Sequence, residues 1–218
     1  MIVKLNETKL LEAATWLAGQ DPTLALVLEK YGPPPLWART PGFSTLVHMI
    51  LEQQVSLASA NAAFLKLQTK VGRLLPDTFL LLDDMALREI GFSRQKITYA
   101  RALAQAITTG DLDLEKLEWL PDDDVRTELK RLKGIGDWTA DIYLSECLLR
   151  TDILPQGDIA MQEAFRVLNS LEKRPIHRDF VQATDHWRPW RSVGTRMLWH
   201  FYLCERGRGT PLVNIQQP

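Results

Sequence analysis

The sequence predicts an all-α protein. Apolar residues recur at the spacing of an amphipathic helix along nearly the whole chain, and helix-capping residues precede several of these stretches. No segment alternates apolar and polar residues over the length of a strand. The 218 residues are enough for one substantial domain or two small ones.

Two helices and a rigid break are predicted near the N-terminus. Asn6 is a suitable N-cap for the first helix. The apolar face of this helix is predicted to carry Leu10, Leu11, Ala14 and Trp16. Asp21 followed by Pro22 starts a second helix toward Tyr31, because proline fits the first helical turn. Residues 32–35, one glycine and three prolines, then predict a rigid connection.

Helical periodicity continues through the middle of the chain. Successive helices are predicted over residues 43–53 and 56–71. A further helix over residues 83–90 ends at Gly91, a typical C-terminal stop, and a serine caps the longer helix predicted over residues 93–109.

The segment 132–140, Leu-Lys-Gly-Ile-Gly-Asp-Trp-Thr-Ala, carries the clearest indication of function. The helix that enters it is expected to be capped by the acidic run 122–124. Gly134 and Gly136 predict a tight connection whose backbone N–H groups face outward. A helix beginning near Thr139 would place its positive end beside these groups, which suits a phosphate. The nearby basic residues Lys130, Arg131 and Lys133 fit the same interpretation.

An acid is predicted at the start of another helix downstream. Asp158 follows Gly157 and precedes an apolar run that includes Ile159 and Phe165, so it is a good N-cap. Together with the hairpin, it indicates a protein that binds a nucleic-acid backbone and presents one carboxylate to the substrate. Asp152, the nearest other acid, is expected to be a loop residue.

These segments resemble the helix-hairpin-helix DNA glycosylase superfamily, specifically its alkylated-base branch of the 3-methyladenine glycosylase II type. The resemblance covers roughly residues 37–204 and rests on blocks that occur in the family's order. The blocks are residues 50–56 (Ile-Leu-Glu-Gln-Gln-Val-Ser), 91–96 (Gly-Phe-Ser-Arg-Gln-Lys), 132–140, 153–158 (Ile-Leu-Pro-Gln-Gly-Asp) and 187–192 (Trp-Arg-Pro-Trp-Arg-Ser). A lone Gly-Ile-Gly hairpin would be weak evidence for this superfamily, since polymerases, ligases and helicases also use such hairpins.

The resemblance implies a two-lobed helical fold with the active site in the cleft between the lobes. One lobe would comprise residues 1–42 and 151–218, and the other would comprise residues 43–150 and contain the hairpin. The DNA-binding residues implied by the family are Gln53, Gln54, Lys133, Gly134, Ile135, Gly136 and Thr139. Gln53 and Gln54 match the loop that fills the hole left by a flipped base, with Gln54 the favoured inserting residue; a polar helix end is the alternative.

Asp158 occupies the position of the family's catalytic aspartate. Such a carboxylate stabilises the oxocarbenium character of the sugar and orients or deprotonates a water. Its alternative role, the N-cap, is compatible with catalysis. Relatives that also nick the backbone carry a lysine where this chain has Trp138, so the resemblance implies a monofunctional glycosylase.

Tryptophans are the candidates for the base pocket. An alkylated purine often carries positive charge, which attracts aromatic faces. Trp138, Trp199 and Trp37 are the predicted pocket residues, with core packing as the alternative for each. The remaining tryptophans, Trp16, Trp119, Trp187 and Trp190, are expected to be core or lobe-contact residues.

The preferred lesion is left open by one departure from the family. Ile159 stands where the best-known bacterial enzyme has an aromatic residue, so part of the pocket wall is expected to be aliphatic. The leading hypothesis is excision of alkylated purines such as 3-methyladenine and 7-methylguanine from duplex DNA, leaving an abasic site. The alternatives are a glycosylase for oxidised or deaminated bases, and a non-catalytic helical module that binds damaged DNA.

Composition narrows the remaining possibilities. The net charge of −1 argues against a general polyanion binder, so any DNA-binding face must be local, near the hairpin or near Arg188 and Arg191. The two cysteines and four histidines show no metal-ligand spacing, so no metal is expected. No cofactor is required, although hairpin carbonyls in this family can hold a monovalent cation.

The location and oligomeric state follow from what the sequence lacks. No apolar run approaches the roughly 20 residues of a membrane span, and the N-terminus lacks the apolar core of a secretory signal. The expectation is an intracellular monomer, cytoplasmic and associated with the nucleoid if bacterial, whose partner is double-stranded DNA.

Overall fold

The computed structural model describes residues 2–207, and within this range the chain is helical with no β-strand. The α-helices are α1 Glu7–Gln20, α2 Pro22–Tyr31, α3 Phe43–Glu52, α4 Leu57–Val71, α5 Pro76–Leu80, α6 Asp84–Ile90, α7 Arg94–Thr108, α8 Asp122–Lys130, α9 Asp137–Ile142, α10 Ile159–Leu168, α11 His177–Ala183 and α12 Arg191–Glu205. Short 3₁₀ turns cover Lys116–Trp119 and Asp185–Trp187, and α9 continues as a π-turn over Tyr143–Cys147. The all-α prediction is confirmed.

The predicted helix starts are confirmed where a side chain can cap its own helix. Asn6 Oδ1 accepts a hydrogen bond from the backbone N of Lys9 at 2.8 Å, and Asp21 Oδ1 accepts one from Thr23 N at 2.9 Å. Ser93 Oγ accepts from Lys96 N at 3.2 Å. Each cap satisfies a first-turn N–H that has no carbonyl partner inside the helix, so these starts depend on local sequence.

Several details of the predicted helices were wrong. Helix α1 buries Leu10, Ala13, Ala14 and Leu17, which form one stripe at helical spacing. Leu11 and Trp16 lie off this stripe and are 48% and 41% exposed. The acidic run 122–124 starts α8 and lies beside its positive end, as expected, but the N-cap residue is Pro121. Helix α9 begins at Asp137, two residues before the predicted start, and α5 was not predicted.

The chain divides into two compact units. Among the described residues, the terminal unit comprises residues 2–39 and 144–207, and the central unit comprises residues 40–143. Residues 144–150, which the resemblance assigns to the central lobe, belong to the terminal unit by their contacts. One such contact is the hydrogen bond from Leu5 N to Leu149 O at 2.7 Å.

A buried core joins α1, α2, α10 and α12 within the terminal unit. Trp187 is fully buried in this core, as expected, and its Nε1 donates to Asp21 Oδ2 at 2.8 Å. Burial raises the pKa of Asp21, but hydrogen bonds from Thr23 and Trp187 outweigh it, so the pKa lies below its ordinary value. The N-cap of α2 thereby also fixes the central tryptophan of the core.

Arg196 is a buried hydrogen-bonding centre of the terminal unit. Its guanidinium donates to Leu36 O at 2.8 Å, to Ser145 Oγ and O at 2.9 and 2.8 Å, and to Ser192 O at 2.9 Å. Burial lowers the pKa of Arg196 to about 10, so it stays protonated at neutral pH. The cation therefore fixes the segment after α2 and the π-turn against α12.

The central unit is built around α3. Eight of the ten residues of this helix are buried, and it packs against α4 and α7. Phe79 contacts Phe43 and Phe92 with ring centroids 5.8 and 5.9 Å apart, which encloses one end of the core. No helix within residues 2–207 is long and apolar enough to cross a membrane.

Packing between Gly194 of α12 and Trp187 yields a prediction for stability. A Cβ atom on Gly194 would lie 2.4 Å from Cε3 of the Trp187 ring, so Gly194→Ala must displace a buried tryptophan. We expect a loss of about 1–3 kcal/mol in the free energy of unfolding, measured by urea denaturation. Gly19→Ala is the matched control, because Gly19 lies in α1 with nothing within 4 Å of its Cβ position. It should stabilise the protein by up to about 1 kcal/mol; equal effects of the two changes would contradict the packing argument.

Candidate functional site

The predicted hairpin is present between α8 and α9. Ile135 N donates to Leu132 O at 3.1 Å, which closes a tight turn, and the Ile135 side chain is buried. Gly136 is the N-cap residue of α9 and provides no side-chain cap. The positive end of α9 therefore follows the glycine turn directly, as an anion-binding hairpin requires.

The two hairpin glycines have different structural roles. Gly134 has a φ of +98°, a region that favours glycine, and a Cβ atom there would lie 2.1 Å from Cγ of Tyr99 in α7. Gly136 has extended backbone, and nothing lies within 4 Å of its Cβ position. Only the first glycine is required by packing inside the protein.

Gln53 lies beside the hairpin. It is the C-cap residue of α3, and its Nε2 donates to Gly134 O at 2.9 Å and to Thr139 Oγ1 at 3.1 Å. Thr139 is 2% exposed. The side chains of Gln53 and Thr139, both predicted to contact DNA, therefore contact each other inside the central unit.

Gln54 differs from its neighbour. It is exposed and has a φ of +57°, an uncommon backbone conformation for a residue with a side chain. Val55 and Leu57 beside it are 46% and 48% exposed. The exposed position of Gln54 is compatible with its predicted insertion into the duplex. Its contact with DNA stays a prediction.

Most of the basic residues considered for DNA binding form ion pairs within the protein. Lys130 pairs with Asp137, and Arg131 Nη1 lies 2.9 Å from Glu128 Oε2. Lys133 is exposed and belongs to no ion pair among residues 2–207. No internal ion pair therefore competes with its predicted contact to a phosphate, and that contact stays a prediction.

The second basic cluster is also paired internally. Arg188 and Arg191 each lie 2.6 Å from the Asp152 carboxylate. Asp152, expected to be a loop residue, therefore bridges both arginines, and Asp185 also pairs with Arg188, at 2.9 Å. The pairing with Asp152 was not predicted, because Asp152 lies 36 and 39 residues from its partners along the chain.

Asp158 is the N-cap residue of α10. Its Oδ1 accepts a hydrogen bond from Met161 N at 2.8 Å, and the residue is only 8% exposed. Gly157 before it has a φ of +77°. The predicted cap is confirmed, and it fixes the carboxylate at the positive end of a ten-residue helix. Ile159, next to it, is 63% exposed.

Two of the three predicted pocket tryptophans contact each other in the terminal unit. Trp37 and Trp199 are both half-buried, with ring centroids 6.1 Å apart and planes tilted by 58°. His200 lies 6.4 Å from the Trp37 ring. Trp138 is half-buried in the central unit. Each keeps part of its surface exposed, and Trp199 also packs against the buried core of the terminal unit.

The other four tryptophans differ in burial. Trp187 is buried as expected and Trp190 is half-buried. Trp119 is 76% exposed and Trp16 is 41% exposed, so neither is a core residue. The alternative expectation for both, a lobe contact, stays a prediction. Neither helical position faces its unit's interior, which periodicity in a short window does not reveal.

A surface pocket of about 380 Å³ lies on the central unit, and it contains none of the predicted site residues. Its lining mixes acids such as Asp113 and Asp124 with Lys116 and Arg131. Within residues 2–207, no group of three or more His, Cys, Asp or Glu side chains is arranged to hold a metal ion.

An all-helical fold with a glycine hairpin feeding a helix N-terminus defines a helix-hairpin-helix protein. Among solved structures, the chain is similar to a Schizosaccharomyces pombe 3-methyladenine DNA glycosylase in complex with abasic DNA. The TM-score is 0.80 at 26% identity, covering 87% of this chain and 95% of that one.

Sequence comparison gives the same class of relatives. The chain is 27% identical over 199 residues to DNA-3-methyladenine glycosylase 1 of Schizosaccharomyces pombe, covering 88% of this chain and 87% of that protein. It is 26% identical over 185 residues to a Bacillus subtilis relative, covering 81% of this chain and 64% of that protein's length. The family model for HhH-GPD superfamily base excision DNA repair proteins matches residues 47–189, which include the hairpin and Asp158. The chain belongs to this superfamily.

The different roles of the hairpin glycines yield a prediction. Gly134→Ala places a methyl group inside the Tyr99 ring position and forces a non-glycine residue to positive φ. We expect it to lower the free energy of unfolding by at least about 2 kcal/mol. Gly136→Ala, the matched control, should change it by less than about 1 kcal/mol. Urea denaturation of both variants measures the difference; a Gly134→Ala variant as stable as Gly136→Ala would refute the close approach.

Proposed function

We propose that this protein is a monofunctional DNA glycosylase that hydrolyses the N-glycosidic bond of alkylated purines in duplex DNA and leaves an abasic site. The observation that carries the proposal is Asp158, a carboxylate fixed at the start of α10 within a base excision repair family. The relatives named DNA-3-methyladenine glycosylase support the choice of alkylated bases.

The carboxylate of Asp158 supplies the chemistry. Cleavage of the glycosidic bond passes through a sugar with oxocarbenium character, which an adjacent ionised carboxylate stabilises. The same group orients or deprotonates the water that completes hydrolysis. Its N-cap hydrogen bond holds the side chain in one rotamer, so little reorganisation accompanies the reaction.

The target base must leave the duplex stack before its bond can be reached. In this proposal the hairpin and Lys133 bind the phosphate backbone, and Gln54 fills the hole left by the flipped nucleotide. A positively charged alkylpurine is held by aromatic faces, with Trp37 and Trp199 as the proposed pair in the terminal unit. Trp138 stays a predicted pocket residue. A positively charged base is already a good leaving group, so little protonation by a general acid is needed.

The reaction as proposed requires no cofactor. A monovalent cation at the hairpin stays a prediction. Its proposed ligands are backbone carbonyl oxygens. Leu132 O and Gly134 O each accept one hydrogen bond, which leaves each a second lone pair for such an ion. The protein is further proposed to act as an intracellular monomer on double-stranded DNA, in the cytoplasm if it is bacterial.

A second candidate substrate class keeps the mechanism and changes the lesion. Ile159, the residue after Asp158 in the sequence, is exposed and aliphatic, so it offers no aromatic face to a cationic base. A neutral oxidised or deaminated base depends less on aromatic stacking. This favours testing those lesions if methylated DNA yields no product.

Substitution of the capping carboxylate tests catalysis. We expect Asp158→Asn to lower the rate of 3-methyladenine release from methylated duplex DNA, followed by chromatography, by about 100-fold or more. Asparagine also caps helices well, so the free energy of unfolding should change by less than about 1 kcal/mol.

Asp83→Asn is the matched control for this experiment. Asp83 caps α6 through a 2.7 Å hydrogen bond to Ala86 N and is exposed, so the same change there removes a charge from a cap but no proposed catalytic group. It should release base at the native rate. Equal activity of native protein and Asp158→Asn would remove Asp158 from the mechanism. If native protein and Asp158→Asn both bind methylated DNA but neither releases a base, oxidised and deaminated lesions are tested next. Binding without release from those lesions would indicate a non-catalytic module.

The replacement of the lyase lysine by Trp138 gives a separate prediction. An indole cannot form a Schiff base with the sugar, so the DNA strand should stay intact at the abasic site until alkali is added. Borohydride added during the reaction should trap no protein–DNA adduct. A trapped adduct would show that another amine, with Lys133 the nearest in sequence, attacks the sugar.

A further inference from the structure

The side chain of Gln53 joins two elements of the central unit that lie far apart in the sequence. Its Nε2 is 2.9 Å from Gly134 O and 3.1 Å from Thr139 Oγ1, across sequence separations of 81 and 86 residues. One acceptor belongs to the hairpin turn and the other to the first turn of α9. A single amide group therefore connects the end of α3 to the hairpin turn and to α9.

The chemistry of this link requires a donor. A backbone carbonyl only accepts, so the Gln53 side chain must present its NH₂ group, which has two N–H bonds for its two acceptors. A glutamate of the same length would place a carboxylate oxygen against the Gly134 carbonyl oxygen and repel it. The Thr139 hydroxyl is buried, so its partner must come from within the protein.

The chain just before Gln53 is anchored as well. Lys96 Nζ of α7 donates to Leu51 O at 2.7 Å, and burial lowers the pKa of Lys96. Gln53 N donates to Ile50 O at 3.4 Å, which closes the end of α3. Gln54, the next residue, is exposed. The fixed part of the chain thus ends one residue before the side chain that projects to the surface.

We propose that Gln53 is a positioning residue, which locks the loop bearing Gln54 to the hairpin so that the two act on DNA as one rigid element. This inference rests on the proposed function, in which the hairpin binds the backbone and Gln54 enters the duplex. It assigns Gln53 an internal role in place of the predicted contact with DNA.

Base flipping supplies the reason for a rigid link. Unstacking a base costs about a few kcal/mol, so restacking of the duplex favours expulsion of any inserted side chain. A loop that moved independently of the backbone-binding hairpin would be displaced more easily than one fixed to it. Two ordinary hydrogen bonds, lost together, correspond to a change of about 10- to 100-fold in the population of the productive arrangement.

The test compares Gln53→Glu with Gln54→Ala in the full chain. Hydrogen exchange of the hairpin amides in the free protein reports the link without DNA. We expect Gln53→Glu to increase that exchange about 10-fold or more and to lower single-turnover base release about 10- to 100-fold, while binding to undamaged duplex DNA changes by less than about 3-fold. Gln54→Ala should leave hairpin exchange at the native level, because its side chain is exposed.

Thr139→Val supplies the second half of a double-mutant cycle. It removes one of the two acceptors, so it should reproduce part of the effect, and the combined variant should be no worse than Gln53→Glu alone. If Gln53→Glu does not fold, Gln53→Met keeps the length and apolar stem while removing the donor. Native hairpin exchange in a folded Gln53 variant, together with weakened DNA binding, would overturn the proposal and make Gln53 a direct DNA contact.

Failure of this inference is distinguishable from failure of the proposed function. Hairpin exchange and binding to undamaged DNA are measured without base release. If the native protein releases no base from any lesion, the exchange data still decide whether Gln53 holds the hairpin.

Discussion

The approach of the Gly134 backbone to the Tyr99 ring is the constraint on which the hairpin depends. It leaves no room for a Cβ atom and requires a positive φ, so the turn is held by α7 and not merely by its own sequence. Gln53 binds the carbonyl of the same residue. The Tyr99 ring therefore packs against one side of Gly134, and the Gln53 amide donates to its carbonyl oxygen. These two contacts fix where α9 begins.

In the terminal unit, a buried arginine positions the proposed site residues. Arg196 is buried and donates only to backbone carbonyls and one serine hydroxyl, so its charge is spread over oxygen dipoles. Its bond to Leu36 O holds the residue before Trp37, whose φ is +50°. Trp199 follows Arg196 by three positions on α12 and meets the Trp37 ring. A buried cation thus positions both members of the proposed aromatic pair.

Asp158 shows that a structural and a catalytic interpretation of one residue need not compete. Capping uses one carboxylate oxygen to accept a backbone N–H, which restricts the side chain. A reaction that develops positive charge on the substrate needs a carboxylate held in place. The superfamily match and the cap together make this aspartate the centre of the proposed mechanism, while the pocket tryptophans and Ile159 bear on which base is accepted.

The all-α class, the caps at Asn6, Asp21 and Ser93, and the hairpin with its downstream aspartate could be predicted from the sequence. These features depend on residues within a few positions of one another, so local chemistry specifies them. Packing of the folded chain was needed to show that Leu11 and Trp16 face outward, that Asp152 pairs with Arg188 and Arg191, and that Gln53 binds the hairpin. Each depends on which distant segments pack together, and in a single sequence neither periodicity nor motif spacing contains that information.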